Sequence, residues 1–254
     1  MSFRQRLYLS TIGEDAPALA RRLGLGLEVA EYCTAWRMDR EFPATHRQVC
    51  QSMEGVERFV FHAPFNELCP AAVDPLAVEL AEKRWWQAVK LAGRYGIRRM
   101  VVHSGYVPWI YHKEWFEDRS VEFWRRFMRD FPQDGFLYLE NVMEDGPELL
   151  CRIVQRVDDP RFRLCLDLGH AHAELSRTPL MAWVEACAPL LGHVHLHDNR
   201  GGEDLHLPLG EGTAPVEEAL IRLETLCPGL TYTVENMRAA PSVAWLERHG
   251  FWEG

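Results

Sequence analysis

Eight short segments of strand character recur along the 254 residues, each followed by a segment long enough to form a helix. This alternation limits the fold more than any single motif does. The strand-like segments are RLYLSTI (6–12), GLEVAEYC (26–33), RFVFHAPF (58–65), RMVVHSGY (99–106), FLYLENV (136–142), FRLCLDLGH (162–170), GHVHLHDN (192–199) and LTYTVEN (230–236). Helical patterns with apolar spacing near 3.6 lie between them at 75–96, 114–131, 147–157, 178–191 and 214–227. Pro147, Pro179 and Pro215 stand where a first helical turn tolerates proline. With no linker, low-complexity run or charge block to divide it, the chain is predicted to be one domain over 1–254, a single (β/α)8 barrel. A doubly wound open sheet is the alternative, and it places fewer reactive groups at so many strand ends.

In such a barrel alternate strand residues face the axis, and chemistry collects at the carboxyl ends of the strands. Strand three ends on His62, strand four on His103, strand five on Glu140 and strand six on Asp167, with His170 three residues further. Strand seven supplies His195 and strand eight Glu235, and in each case a large apolar neighbour takes the opposite parity. A single strand-end histidine is an ordinary core residue. Six consecutive strands presenting ligand-type groups at one rim indicate a metal centre. Imidazole nitrogen with carboxylate oxygen suits Mn, Zn, Co, Mg or Fe, and because no cysteine joins the set, an open site completed by water or substrate is expected.

The stretch HVHLHDNRGGEDLHLPLGEG (193–212) is the densest part of this pattern. Alternation puts His193, His195 and His197 on one face of a strand. His193 is expected beneath the site and the role of His197 is open. His46, His112, His172 and His249 have no such support and are read as structural or surface residues.

Composition excludes other classes. Lysine and arginine number 28 against 37 acidic residues, a net charge of −9, which disfavours non-specific nucleic-acid binding. Seven scattered cysteines without a C-x-x-C pattern suit a reducing compartment. Without a signal-like start or a long apolar run, a cytoplasmic location is expected.

The order His62, His103, Glu140, Asp167-x-x-His170, His195, Asp204-x-His206 with a following G-E-G, then Glu235, resembles the xylose isomerase-like TIM barrel superfamily over nearly the whole chain. This superfamily holds sugar-phosphate isomerases and epimerases as well as the type IV apurinic endonucleases. Its most specific pieces here are LCLDLGHAH, LEN and HLHDNRGGEDLHLPLGEG. The resemblance to the sugar enzymes implies one divalent ion on Glu140, Asp167, His195 and Glu235, with His170 against a substrate oxygen. The resemblance to the endonucleases implies up to three zinc ions, with His62, His103, His170, Asp204 and His206 as further ligands.

The wording of the HVHLHDN…GEG stretch and the short loops after most strands favour the sugar enzyme, with a small carbohydrate as partner, nucleic acid second to it and no membrane. Glu140 and Glu235 are the expected acid and base, moving a proton beside a carbonyl through an enediolate. Arg200, Tyr106 and Trp109 are expected to contact substrate, Tyr111 to help cover it, and the G-E-G turn (210–212) is a candidate phosphate cradle. Trp36, Arg37 and Arg40, after strand two, keep the nuclease alternative open. Whether the substrate is phosphorylated and whether the chain forms a homo-oligomer are not fixed by the sequence.

Overall fold

The computed structural model describes residues 1–252. Eight parallel strands close into a barrel in sequence order: β1 (Leu7–Ser10), β2 (Gly26–Val29), β3 (Phe59–His62), β4 (Arg99–His103), β5 (Phe136–Glu140), β6 (Phe162–Asp167), β7 (Leu191–Leu196) and β8 (Thr231–Val234). All eight predicted strands are present, and each stops short of its predicted end because the last residues turn into the rim loops. The helices are α1 (Ala16–Leu23), α2 (Ala35–Asp39), α3 (Phe42–Met53), α4 (Pro75–Arg94), α5 (Lys113–Asp130), α6 (Glu148–Val157), α7 (Leu180–Cys187), α8 (Val216–Leu226) and α9 (Ala240–Arg248).

Local chemistry sets the helix boundaries. Asp74 Oδ1 accepts from the Leu76 amide at the start of α4, and Pro75 supplies a preset first turn. The buried face of α4 carries Ala81, Trp85, Ala88 and Ala92, and the Trp85 indole N–H donates to the Pro64 carbonyl at 3.0 Å. Trp85 packs on Trp124 of α5 with ring centroids 4.9 Å apart. Truncating either side chain to alanine would cost about 3–5 kcal/mol.

The barrel has two cores. The large one lies between strands and helices, whereas Tyr8, Val60, Val101, Tyr138 and Cys165 form a small separate cluster inside the barrel. These five occupy the inward parity one step below the polar residues of the same strands, so the interior is apolar at the bottom and ionisable at the top. On β7, inward parity depends on a local irregularity. Leu191 pairs with Leu164 but His193 pairs with Cys165, so Gly192 is an extra residue. A Cβ there would stand 2.4 Å from the Tyr138 ring. Without this bulge, every histidine of β7 would face the opposite side.

Candidate metal centre

Register places Asp167, His195 and Thr233 in one row across β6, β7 and β8, and His103 beside Glu140 across β4 and β5. One ligand atom from each of Glu140, Asp167, His195 and Glu235 falls within 4.8 Å of the others, and all four residues are buried. His195 Nδ1 stands 3.0 Å from Glu140 Oε1, 3.1 Å from Glu235 Oε2 and 3.7 Å from Asp167 Oδ2. Three buried carboxylates around one ring nitrogen require a cation there, either a proton or a metal. Burial opposes charge on the ring, yet the carboxylates hold the His195 imidazole well above its ordinary value. Burial likewise pushes Glu140 up, but His195 and His103 hold it well below the usual carboxylate range.

The residues fit a metal on two observations. Glu140 Oε2 is buried and makes no hydrogen bond, although the Nε2 atoms of His62 and His103 stand 3.4 and 3.3 Å away, so ligand-type nitrogens gather around a carboxylate oxygen that no donor satisfies. The histidines are also oriented as ligands. His62, His170 and His206 each donate Nδ1–H to a backbone carbonyl, of Ala63, Asn141 and Glu235 respectively, at 2.8–3.0 Å. That leaves each Nε2 toward a carboxylate, of Glu140 for His62 at 3.4 Å and of Asp204 for His170 and His206 at 3.1 and 3.0 Å. His195 is the reverse: its Nε2–H donates to Glu28 at 3.0 Å and Nδ1 faces the carboxylates.

Glu28 is the residue the sequence reading missed. It is a lone acid on the apolar strand β2, fully buried, and it also accepts from the Thr233 hydroxyl at 2.6 Å and contacts His193 Nε2 at 3.3 Å. Burial raises its carboxyl, and the adjoining His195 and His193 more than reverse this. Its place as the one acid among the apolar residues of β2, paired in register with inward Val60, is the available signal. His193 lies below, as expected, with Nδ1 donating to Thr231 Oγ1 at 2.7 Å.

Two further groups flank the first. His62, His103 and Glu140 form one, and His170, His197, Asp204 and His206 form the other. Burial lowers His103 to about 4. In the second group burial is outweighed by acid neighbours: Asp167 and Asp204 raise His170 to about 10, and Asp204 and Glu235 raise His206 to about 9. His206 has a φ of 46°, a left-handed backbone for a non-glycine residue, locked by its own Nδ1–H and by Asn236 Nδ2 donating to its carbonyl. His197, whose role was open, is fully buried, touches Asp167 through Nε2 at 2.9 Å and leaves Nδ1 unpartnered. Its ring fills the space over Gly169, where a Cβ would come within 2.0 Å.

The site opens into a cavity of about 510 Å3. Tyr106 and Tyr111 line it, with Phe65 stacked on His103 at 4.1 Å. Three expectations are corrected. Trp109 is turned outward, 84% exposed at a φ of 65°, onto a neighbouring surface depression. Arg200 is exposed and outside the cavity lining. The G-E-G turn is no phosphate cradle: Gly210, Gly212 and Ala214 amides donate to the Asp198 carboxylate at 3.0–3.1 Å, so its donors are already used. No lysine or arginine lines this cavity among the described residues.

The family described as xylose isomerase-like TIM barrel matches residues 19–249. The chain belongs to this family. A protein of Thermus thermophilus soaked with zinc chloride superposes with a TM-score of 0.77 at 25% identity, covering 97% of this chain and 98% of that one. A D-tagatose 3-epimerase-like protein gives a TM-score of 0.75 at 22% identity, over 96% and 97% of the two chains. An uncharacterized protein of Methanocaldococcus jannaschii is 25% identical over 206 residues, 72% of this chain. The match spans 66% of that relative's length. The family match and these neighbours thus agree on one fold, a xylose isomerase-like TIM barrel. Among the described residues no helix is long and apolar enough to cross a membrane.

Proposed function

We propose that the protein is a divalent-metal-dependent isomerase or epimerase of a small carbohydrate, acting by proton transfer on a carbon next to a carbonyl. The observation that carries this reading is the convergence of Asp167 and His195 with Glu140 and Glu235, the two that line the cavity, with Glu140 Oε2 making no hydrogen bond. The three carboxylates and one imidazole suit an oxygen-preferring ion such as Mn, Mg or Co, with Zn and Fe also compatible. A bound ion would supply Lewis acidity toward the substrate carbonyl and its neighbouring hydroxyl.

The chain does the rest. Glu140 and Glu235 reach the site from β5 and β8, and each has one oxygen against His195. One takes the proton from the substrate carbon and the other returns a proton, to the opposite face for epimerisation or to the adjacent carbon for isomerisation. Glu28 fixes the His195 ring so that Nδ1, not Nε2, faces the reaction. His170 orients a substrate hydroxyl, while Tyr106 and Phe65 shield the reacting carbon from water. The test is solvent-deuterium incorporation into a panel of ketoses by metal-loaded protein. If Glu140→Gln and Glu235→Gln both leave incorporation unchanged, the two-glutamate mechanism is wrong.

A second reading, a zinc phosphodiesterase acting on abasic DNA, is favoured by one observation. The nine expected positions gather into three ligand groups, two of which share Glu140, with His197 added to the third. Against it stand the acidic charge of −9 and a cavity lined, among the described residues, by no lysine or arginine. Trp36, on α2, is 55% exposed with Arg40 stacked 5.1 Å from its ring, so that loop carries its own cation rather than a buried wedge. Chelator-sensitive cleavage of an abasic duplex, with about three zinc ions per chain, would replace the sugar reading with this one.

A further inference from the structure

The opposite end of the barrel carries a second cavity, of about 460 Å3, around the starts of β1, β3 and β4. Arg58, Arg98 and Arg99 line it together with Tyr8. Arg98 is satisfied by Asp134 at 2.8 Å, but Arg58 and Arg99 have no carboxylate partner among the described residues. Arg58 gives one N–H to the Gly24 carbonyl at 2.8 Å and leaves Nη1 buried with no partner. Arg99 donates through Nη1 to the Tyr8 hydroxyl at 2.9 Å, and neither its Nε nor its Nη2 has an acceptor among the described residues. Tyr8 spaces the two, with the Arg58 guanidinium 5.6 Å from its ring.

Two half-buried guanidiniums without a counter-ion are costly, and proteins ordinarily neutralise them. Elsewhere Arg6 meets Glu224, Arg84 meets Asp39 and Arg161 meets Asp159, while Arg4 and Arg163 give both of their bonding nitrogens to backbone carbonyls. Here the acids at hand do not meet Arg58 or Arg99, because Asp134 is taken by Arg98 and Glu57 is exposed without an ion pair. The free donors of Arg99 form a planar fork suited to two oxygens of one anion.

We infer that the amino-terminal mouth of the barrel is a binding site for a small doubly charged oxyanion, a phosphate or phosphate monoester, held by Arg99 in the field of Arg58. Tyr8 serves as the spacer that keeps the guanidiniums apart and one edge of Arg99 fixed. The site is independent of the metal centre and offers the guanidinium donors that the upper cavity, lined by no lysine or arginine among the described residues, does not have.

Isothermal titration of the metal-loaded protein with inorganic phosphate, and separately with glycerol 3-phosphate, tests this. Saturable binding is expected with at least one probe. The first probe reports a free-anion site and the second a monoester site. Arg99→Met should weaken binding about tenfold or more, the scale of a lost charge-assisted hydrogen-bonded pair. Arg58→Met should weaken it by a smaller factor, and Arg98→Gln, which loses an arginine already paired, should change it least. Should Arg99→Met fail to fold, Arg58→Met carries the test. Absence of binding at millimolar concentration overturns the inference. So does binding that survives both substitutions, or that disappears with a chelator, since the anion is then at the metal centre.

Discussion

The two mouths of the barrel are made by the same eight strands, yet they differ in charge and in what remains unsatisfied. At the carboxyl end, Glu28, Glu140, Asp167 and Glu235 crowd around His195 and concentrate negative charge. At the amino end, Arg58 and Arg99 sit in a cavity and pair with no carboxylate among the described residues. Between them lies the apolar layer of Tyr8, Val60, Val101, Tyr138 and Cys165, which keeps the two sets of charges from neutralising each other. Most residues at the lower mouth have ordinary structural partners, whereas at the upper mouth the polar atoms are arranged around a common centre. Changes at the top should therefore alter chemistry, and changes at the bottom should alter stability.

The largest expected effect tests the top. Glu140→Gln should reduce solvent-deuterium exchange into substrate by about 10²–10⁴-fold, with the far-UV melting curve little changed. A similar loss of folded protein would erase the contrast between the two ends. Next comes the bottom. Arg6 is buried and donates to Glu224 Oε1 at 2.8 Å and to the Leu230 carbonyl at 2.7 Å. Arg6→Met should cost about 3 kcal/mol in urea unfolding, because Glu224 and the Leu230 carbonyl lose a partner, while turnover per folded molecule stays the same. Removing metal by chelation should abolish activity and lower thermal stability, by about 2.7 kcal/mol when free metal had stood at a hundred times its dissociation constant. Reloading should restore both.

A smaller effect is expected at His197. His197→Asn keeps a donor near Asp167 but loses the ring, so metal affinity measured by chelator competition should fall about 10–100-fold. An unchanged affinity would make His197 a packing residue. The smallest effect is the acid limb of stability. Burial raises the Glu224 carboxyl, but Arg6 pulls it below its ordinary value. Its contribution is therefore fully present above the unfolded-state value near 4.5 and disappears as pH falls through the lower folded-state value. Glu224→Gln should flatten that part of a stability profile measured by urea unfolding between neutral and acid pH.

Much of the upper mouth was legible in the sequence because strand parity is a period of two and ligand residues stand out against valine, leucine and phenylalanine. His62, Glu140, Asp167 and His195 were located this way, and the structure brings them together. Glu28 is not, since neither acid of GLEVAEYC, Glu28 or Glu31, has a histidine beside it in sequence. Its partners His193, His195 and Thr233 arrive from strands more than 160 residues away. The G-E-G turn misled for a similar reason. Its amides are consumed by Asp198, 12 to 16 residues upstream, and only the folded loop shows this. Trp109 was placed by sequence proximity to Tyr106, but a left-handed residue reverses its direction. The lower mouth was unread because arginines at strand starts are ordinary in a soluble barrel. What marks Arg58 and Arg99 is the lack of a carboxylate, a fact of three dimensions.

The order of the ligands along the chain has a consequence for synthesis. Glu140, Asp167, His195 and Glu235 all lie in the second half of the sequence, while β8 must pair with β1 to close the barrel. A chain still emerging from the ribosome cannot assemble the centre until the segment near residue 235 is free, by which time most strands have been waiting with one open edge. Under the proposed metal dependence, ion capture would follow barrel closure, and uptake of metal by the nascent protein would report that closure.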